Sequence, residues 1–557
     1  MQKACAKCGT SFTVTDGDLA FFESVSPTFQ GKKYTVPPPA SCPDCRFQER
    51  LIWRPELHLF QRKSDLSGQQ MLSKYPPEAP CKVYSPEEWW SDSWNPLDYG
   101  RDYDFQRPFF DQFRDLLREV PLIALSVSGN VNSDYINSAS WCKNCYLISG
   151  ANHNEDCYYG NFVNYCINCM DCSFIDHCQL CYECIDCAKC YNLHYSQNCS
   201  NCYDSSFLYS CRGCKHCFGS VNLVEKEYVY KNKQLTKDEY EERFADLQLH
   251  SRSRVAEASV FFDKHQLQYP HKFMIGEMNE DVTGNGILRS RRVYESFDVS
   301  DSEDCKYCSW FHQAKNCMDC YAWGFPAEEC YSCMEVGNDS HRVLFSLLTY
   351  NGADLLYSYS CRQGCQHLFG CVSLRRSSYC IFNKQYTKDE YERLASRIIE
   401  HMQNTGEWGQ FLPMSLCPLA YNQTIAQDYF PITKERAGEL GARWSDQEAP
   451  QSPKISVPVP DSIQDTSPDI CSKILTCVAT RKPYKVTLQE YNFSKTNGIP
   501  LADKSFFARH EARLRRRNPR KLWDRKCAQC QKAIRTSFAQ DRPEIVFCEQ
   551  CYLKEVY

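Results

Sequence analysis

Eight cysteines near the two ends of the chain stand at spacings that bind metal. Cys5-x-x-Cys8-Gly9 is followed by Cys42-Pro-Asp-Cys45-Arg46, and Cys527-x-x-Cys530 by Cys548-x-x-Cys551. Each CxxC delivers two thiolates from one turn, and two such pairs satisfy tetrahedral zinc with no coordination position left open. Both sets are expected to be structural zinc sites, the second a zinc ribbon. A different chemistry lies just before that ribbon. Between Arg509 and Lys526 stand nine Lys or Arg against two acids. Arg513, Arg515, Arg516, Arg517, Arg520, Lys521 and Arg525 form its centre, and a basic helix entering a zinc module is a candidate reader of phosphate backbones. A merely solvated charged helix has the same sequence signature. Arg46, Arg50 and Arg54, at near-helical spacing after the first module, pose the same choice.

A third set of cysteines obeys a simpler rule. Sixteen lie between Cys142 and Cys217, and every gap between neighbours is a multiple of three. They recur at twelve, as in the row Cys166, Cys178, Cys190, Cys202 and Cys214. Neither a helical period of 3.6 nor a strand period of 2 produces this pattern. A coil of twelve residues does, with four inward positions per turn and the other two registers facing out. Stacked at about 4.7–4.9 Å, such coils make a narrow β-solenoid. The geometry resembles the cysteine-lined twelve-residue coils of some insect antifreeze proteins, without their outward Thr-x-Thr ladder.

Three uses of these cysteines remain open in the sequence. The spacing CxxC-x8-CxxC occurs at Cys166, Cys169, Cys178 and Cys181, at Cys199, Cys202, Cys211 and Cys214, and at Cys305, Cys308, Cys317 and Cys320. Each set would make a metal site across one rung. The thiols would equally serve as small buried hydrophobes, or pair as disulfides in an oxidising compartment.

The elements that position these groups repeat. Lys231-Asn-Lys-Gln-Leu-Thr-Lys-Asp-Glu-Tyr returns 151 residues later as Phe382-Asn-Lys-Gln-Tyr-Thr-Lys-Asp-Glu-Tyr. In each copy a Thr-x-x-Glu capping box (Thr236 with Glu239, Thr387 with Glu390) starts a helix, placed to close the open end of a solenoid. The second solenoid is expected to lose register by one residue before Cys330 and Cys333. The first module also echoes near the C-terminus: Cys5, Phe12, Thr15 and Phe21 align with Cys477, Tyr484, Thr487 and Phe493, and Arg46 and Arg50 with Arg509 and Arg513. Cys8, Cys42 and Cys45 fall on Thr480, Ser505 and Ala508, so this copy is expected to keep the fold without the metal, with Cys471 as a possible substitute ligand.

The first fifty residues resemble a treble-clef or zinc-ribbon domain known as "probable zinc-ribbon", found in cysteine-rich proteins of uncultivated bacterial lineages. Cys5-x-x-Cys8-Gly9, Phe12, Leu19, Phe21-Phe22, Pro37 and Cys42-Pro-Asp-Cys45-Arg46 carry the likeness. It implies zinc and a fold, not an activity.

The expected architecture is mainly β and multi-domain. It comprises a zinc treble clef (1–55), an aromatic connecting segment (56–130), a first solenoid with its helix (131–250) and a second (290–405). A Pro/Ser/Gln-rich linker (438–469), a degenerate treble clef with the basic helix (470–523) and a zinc ribbon (524–557) follow. No apolar run approaches the ~18–20 residues that span a bilayer, and the opening residues show no signal-peptide core. A reduced cytoplasmic setting is expected, without membrane attachment. No phosphate-binding glycine loop, nucleophile elbow or HExxH occurs. The expected function is therefore non-enzymatic binding of nucleic acid or a ribonucleoprotein through the basic run and zinc modules. A protein-binding scaffold on the solenoids, and thiol redox or metal storage, are the alternatives. The oligomeric state is not readable.

Overall fold

In the computed structural model, which describes residues 1–556 apart from 313, 316, 317, 320–326, 329, 330, 335, 336, 338, 339 and 447–456, one conformational rule builds the centre of the chain. Every third residue from Asn132 to Lys231 has a left-handed backbone, for example Trp141 (φ 53°), Asn144 (φ 54°), Leu147 (φ 53°) and Gly150 (φ 62°). Each turns a corner. The next residue points inward, and the one after it pairs in parallel with its counterpart twelve residues on. Lys143, Glu155, Ile167, Gln179, Tyr191, Tyr203 and Lys215 form one such unbroken ladder. Four corners close each coil.

The corners explain the composition of the register that carries them. Left-handed geometry is tolerated by Gly, Asn, Asp and His, and strongly disfavoured for β-branched side chains. No Val, Ile or Thr occupies a corner between Asn132 and Lys231; all the Val and Ile of that stretch lie inward or in the pairing register. The two outward registers are therefore not equivalent.

The inward register is buried as expected. Every cysteine from Cys142 to Cys217 is at most 2% exposed, and all are free thiols. Their S–H groups donate to carbonyls of their own coil or the next, as from Cys166 to Asn164 O (3.1 Å) and from Cys184 to Leu193 O (3.0 Å). Ser196 does the same with its hydroxyl, donating to His194 O at 2.8 Å. A thiol fills this narrow space as a small hydrophobe, and its weak S–H finds an acceptor in a carbonyl that already takes a backbone N–H, as Asn164 O does from His177 and Leu193 O from Tyr182.

The second solenoid follows the same rule with slips. Its corners step through Asp319, Ser332, Phe345, Tyr357, Gly370 and Phe382, and the first runs through Asp171, Glu183, Tyr195, Phe207, Gly219 and Lys231. Thirteen-residue coils, such as Met318 to Tyr331 and Tyr359 to Val372, absorb the extra residues. The predicted slip before Cys333 is one of them; Cys330 lies outside the described residues. Each solenoid ends where the chain reverses, Glu227–Tyr230 pairing antiparallel with Lys233–Gln234 and Ser378–Ile381 with Lys384–Gln385. Helices Lys237–Ala245 and Lys388–Asn404 follow, each opened by the expected reciprocal capping box.

The solenoids touch side by side. Phe162 stacks on Trp310 with centroids 4.5 Å apart, and Phe174 lies 5.4 Å from the same indole. The aromatics of the 56–130 segment face inward rather than out: Trp89, Phe109 and Phe113 are fully buried. They join the first module, the second solenoid and helix Lys388–Asn404 in one apolar core. In the Pro/Ser-rich run, Ile463 is 1% exposed and Asp461 accepts from Ser253 N at 2.9 Å.

The corner rule gives a direct test at Lys189, an exposed corner (φ 53°). Lys189→Val is expected to lower stability by about 1–2 kcal/mol, and Lys189→Gly to leave it unchanged or raise it. Gln179→Val, in the pairing register, is expected to change it by less than about 0.5 kcal/mol. Denaturant titration reads all three; an equal loss for both valines would refute the rule.

Candidate metal centres and the arginine locks

The N-terminal module forms around its cysteines. A hairpin, Gln2–Ala4 with Ser11–Thr13, carries the first pair on its turn. Gly9 (φ 74°) closes that turn, donating its N–H to Cys5 O at 2.9 Å. Cys42 caps helix Pro43–Leu51, with Pro43 in the first turn, where its missing N–H costs nothing. The Cys42 amide donates to Cys5 Sγ at 3.2 Å. Cys5, Cys8, Cys42 and Cys45 bring all four sulfurs within 4.8 Å of one another, and Cys8 and Cys42 stand 3.7 Å apart.

The C-terminal module repeats the geometry. Strands Trp523–Lys526 and Ala533–Thr536 flank the first pair, and helix Glu549–Val556 bears the last ligand. Cys527, Cys530, Cys548 and Cys551 converge within the same 4.8 Å. The Cys548 amide donates to Cys527 Sγ at 3.3 Å, and the Cys530 and Cys548 sulfurs lie 3.7 Å apart. Burial opposes ionisation of Cys527, but the backbone N–H groups of Cys530, Cys548 and Gln529 bring its thiol below the ordinary range. The Cys45 hydrogen bond does the same for Cys42. Four converging thiols with N–H groups aimed at sulfur fit a metal ion.

The solenoid cysteines are not gathered in this way. Among the described residues no three of them converge as the terminal cysteines do. A left-handed corner, Asn168, separates Cys166 from Cys169, so the pair faces the lumen from two sides. Cys178 and Cys181, Cys199 and Cys202, Cys211 and Cys214, and Cys305 and Cys308 are likewise buried packing thiols donating to backbone carbonyls or sulfur neighbours. Cys317 and Cys320 lie outside the described residues.

The basic run is turned largely inward. Arg513 is 1% exposed and binds Asp171 (2.9 Å) and Glu183 (2.8 Å). Arg517 spans Asp186 (2.8 Å) on the first solenoid and Asp298 (2.7 Å) on the second. Arg520 binds Asp298 at 2.8 Å while lying 3.4 Å from the Trp310 ring centroid. Arg525 donates to the carbonyls of Ala539 and Glu544, and Lys521 lies against Trp523. Arg515, paired with Glu511 at 2.6 Å, Arg516 and Lys521 stay exposed.

Two aspartates that the sequence reading passed over anchor these contacts. Asp171 holds Arg509 (3.0 Å) and Arg513; Asp319 holds Arg46 and Arg50 (3.4 Å). Both aspartates are fully buried at equivalent corners, φ 54° and 65°. The correspondence extends outward. Arg509 lies over Tyr159 and Arg46 over Tyr307, at 5.0 and 5.4 Å. Arg513 reaches Glu183, and Arg50 reaches Ser332 one coil beyond Asp319. Each clef helix thus lays two arginines, four residues apart, on one corner aspartate. The N-terminal clef serves the second solenoid and the degenerate clef the first. The signal existed in the alignment of Arg46 and Arg50 with Arg509 and Arg513, but their anionic partners are far off in sequence.

In the degenerate clef, Thr480 and Ser505 hydroxyls stand near Cys477. Burial raises its thiol pKa, yet those groups bring it down to about 7. Cys471 donates instead to Thr487 O at 3.7 Å, and no metal-binding group forms there among the described residues.

No protein-family model, curated protein or solved structure matches this chain. Among the described residues no helix is long and apolar enough to cross a membrane.

Elemental analysis of protein purified without added metal is expected to find two metal ions per chain, falling to one in Cys8→Ser. Four or more would place metal in the coils. Asp171→Asn, which removes the carboxylate that two buried guanidiniums share and leaves Arg509 only Glu490 and Arg513 only Glu183, is expected to cost about 3 kcal/mol in denaturant titration; a loss under about 1 kcal/mol would show that the lock is not what holds the clef.

Proposed function

We propose that the chain is a non-enzymatic, zinc-clamped scaffold that binds a protein partner along the exposed side of its first solenoid. Zinc fits the spacing: sulfurs about 2.3 Å from a tetrahedral ion stand ~3.8 Å apart, and Cys8 with Cys42 and Cys530 with Cys548 each measure 3.7 Å. The two modules act as clamps. The N-terminal one joins the second solenoid through Asp319 and, from Lys306, through Asp18 (2.9 Å). The C-terminal one pairs Val546–Phe547 in parallel with His271–Lys272 ahead of the second solenoid. Its Tyr552 also donates to Asn222 of the first at 2.9 Å.

The observation that carries the scaffold reading is where large side chains remain exposed. Trp141 and Tyr165, on one corner column, are 58% and 50% exposed; Ile167, Tyr191 and Tyr203, on the adjoining ladder, about two-fifths. They form a continuous side because both columns advance one rung per coil. Trp141, His153, Tyr165 and His177 stack in sequence, centroids 4.8–4.9 Å apart. Their faces are covered by one another, and Trp141 also lies against Gly129, where a Cβ would approach within 2.8 Å. Ring edges, not faces, are therefore offered, which disfavours base stacking and suits a Tyr- and Trp-rich protein interface. The nucleic-acid reading is weakened in parallel, because Arg513, Arg517 and Arg520 already have carboxylate partners inside the molecule.

Capture from nuclease-treated lysate, followed by reconstitution with the captured protein, tests this reading. Trp141→Asn with Tyr165→Asn places favoured residues at both corners, so stability should hold while partner affinity falls at least about tenfold. Unchanged affinity would reject the surface. Binding of RNA or DNA that disappears in Arg515→Glu with Arg516→Glu would restore the nucleic-acid reading.

A further inference from the structure

A cavity of about 180 Å³ lies where the two solenoids, the basic run and the C-terminal module meet. Five guanidiniums line it: Arg515, Arg516, Arg517, Arg520 and Arg542. Their charges are not all answered. Arg515 pairs outside the wall with Glu511, Arg517 with Asp186 and Asp298, Arg520 with Asp298 again, and Arg542 with Glu544. For Arg516 no hydrogen bond or ion pair forms at the guanidinium among the described residues. Glu183, which feels its charge, is hydrogen-bonded to Arg513. Arg520 Nη1 is also buried without an acceptor.

The wall is one negative charge short. Four carboxylates, Asp186, Asp263, Asp298 and Glu544, stand against five guanidiniums on the lining. Asp263, Arg515 and Arg516 lie at its solvent-facing side, and Asp186, Asp298, Glu544, Arg517, Arg520 and Arg542 lie deeper. His271, which also lines the cavity, donates its Nε2–H to Gln266 O (3.3 Å) and accepts at Nδ1 from Tyr209 OH (3.2 Å). Burial draws its pKa down to about 4, so it adds no charge at neutral pH. Neutral donors complete the lining: Asn285 uses its Oδ1 on the Ile275 amide, which leaves its NH₂ group available. A uncompensated guanidinium beside a partly enclosed, polar cavity is the setting in which a bound oxyanion forms charge-assisted hydrogen bonds. At about 30 Å³ per water, the space admits one phosphate group with a few waters and excludes a nucleic-acid strand.

We propose that this cavity binds a compact oxyanion of the phosphate class, held chiefly by Arg516. The anion is either free phosphate or the head of a small phosphomonoester, and it locks together the first solenoid, the second solenoid and the C-terminal module that wall the cavity.

The test is calorimetric titration of the full chain with inorganic phosphate, and separately with glycerol phosphate, at ionic strength fixed with sodium chloride. One saturable site is expected, accompanied by a rise in melting temperature that chloride does not reproduce. Arg516→Ala should weaken it at least about tenfold with the ligand-free melting temperature unchanged, and Arg515→Ala should leave affinity within about twofold, its partner being Glu511. Tighter binding of the ester would identify a small phosphorylated ligand, and equal or tighter binding of phosphate the free ion; either supports the site. Absence of a saturable phosphate effect, or wild-type affinity in Arg516→Ala, overturns it.

Discussion

The structure depends on a backbone constraint: one residue in three must hold a left-handed conformation. That turn costs about 1–2 kcal/mol for most side chains, and it recurs four times in each coil. It is sustained because each corner delivers one residue inward, where a thiol is buried and hydrogen-bonded, and one into a parallel ladder. The constraint also dictates which chemistry the surface carries. Corners accept Asn, Asp, His, Gly and planar aromatics, so the outer edges of the solenoid are ladders of amides, carboxylates and stacked rings. Asp171 and Asp319 are corner residues of this kind, and their carboxylates reach the clef helices because the corner projects them.

Those two aspartates explain how a clef without the four-cysteine cluster keeps its place. Cys8, Cys42 and Cys45 have no ligating counterpart at Thr480, Ser505 and Ala508, yet Arg509 and Arg513 sit on Asp171 as Arg46 and Arg50 sit on Asp319. The chain thus contains its own control. Docking follows from the buried ion triad and the cation–ring contact beside it, and does not need the thiolate cluster. Glu490 stands in the second copy where Asp18 stands in the first: it accepts from Arg509 at 3.0 Å, and Asp18 accepts from Lys306 at 2.9 Å. The buried charges face opposite charges in both copies, although Arg50 Nε, Arg509 Nη2 and Arg513 Nε find no hydrogen-bond acceptor, and pairing of this kind is the condition under which such groups are tolerated in an interior.

Much of this was legible in the chain. The triplet spacing from Cys142 to Cys217 specified the coil, its inside and its twelve-residue rung; the capping boxes at Thr236 and Thr387 marked where each solenoid stops; the terminal CxxC pairs named their own partners. The rest depended on distance. Nothing near Arg513 announces Asp171, more than three hundred residues earlier, so a run of arginines read as a nucleic-acid surface proves to be mostly interior. The CxxC-x8-CxxC pattern has a different local geometry from the terminal pairs: at three-residue spacing a corner intervenes, and the two thiols face the lumen from different sides. The distinction between the two outward registers was available, since β-branched residues avoid one of them, but it emerges only when the corner is known to be left-handed.

The same geometry bears on why the arginines are placed between the solenoids. Two rigid, regular rods in contact through a few rings, Phe162 and Phe174 on Trp310, could slide by one rung, about 4.8 Å, and regain similar packing. Apolar contacts that repeat at the rung spacing do not fix register. Charged ones do, because carboxylates occur only at particular rungs. Arg517 bridges Asp186 of the first solenoid to Asp298 of the second, and Arg520 adds to Asp298 while covering Trp310. A slip of one rung would place Arg517 opposite Phe174 or Asn198 instead of Asp186, leaving a guanidinium without its anion in a poorly hydrated seam. The basic run therefore sets the alignment of the two rods, which is why it is spent inside the molecule.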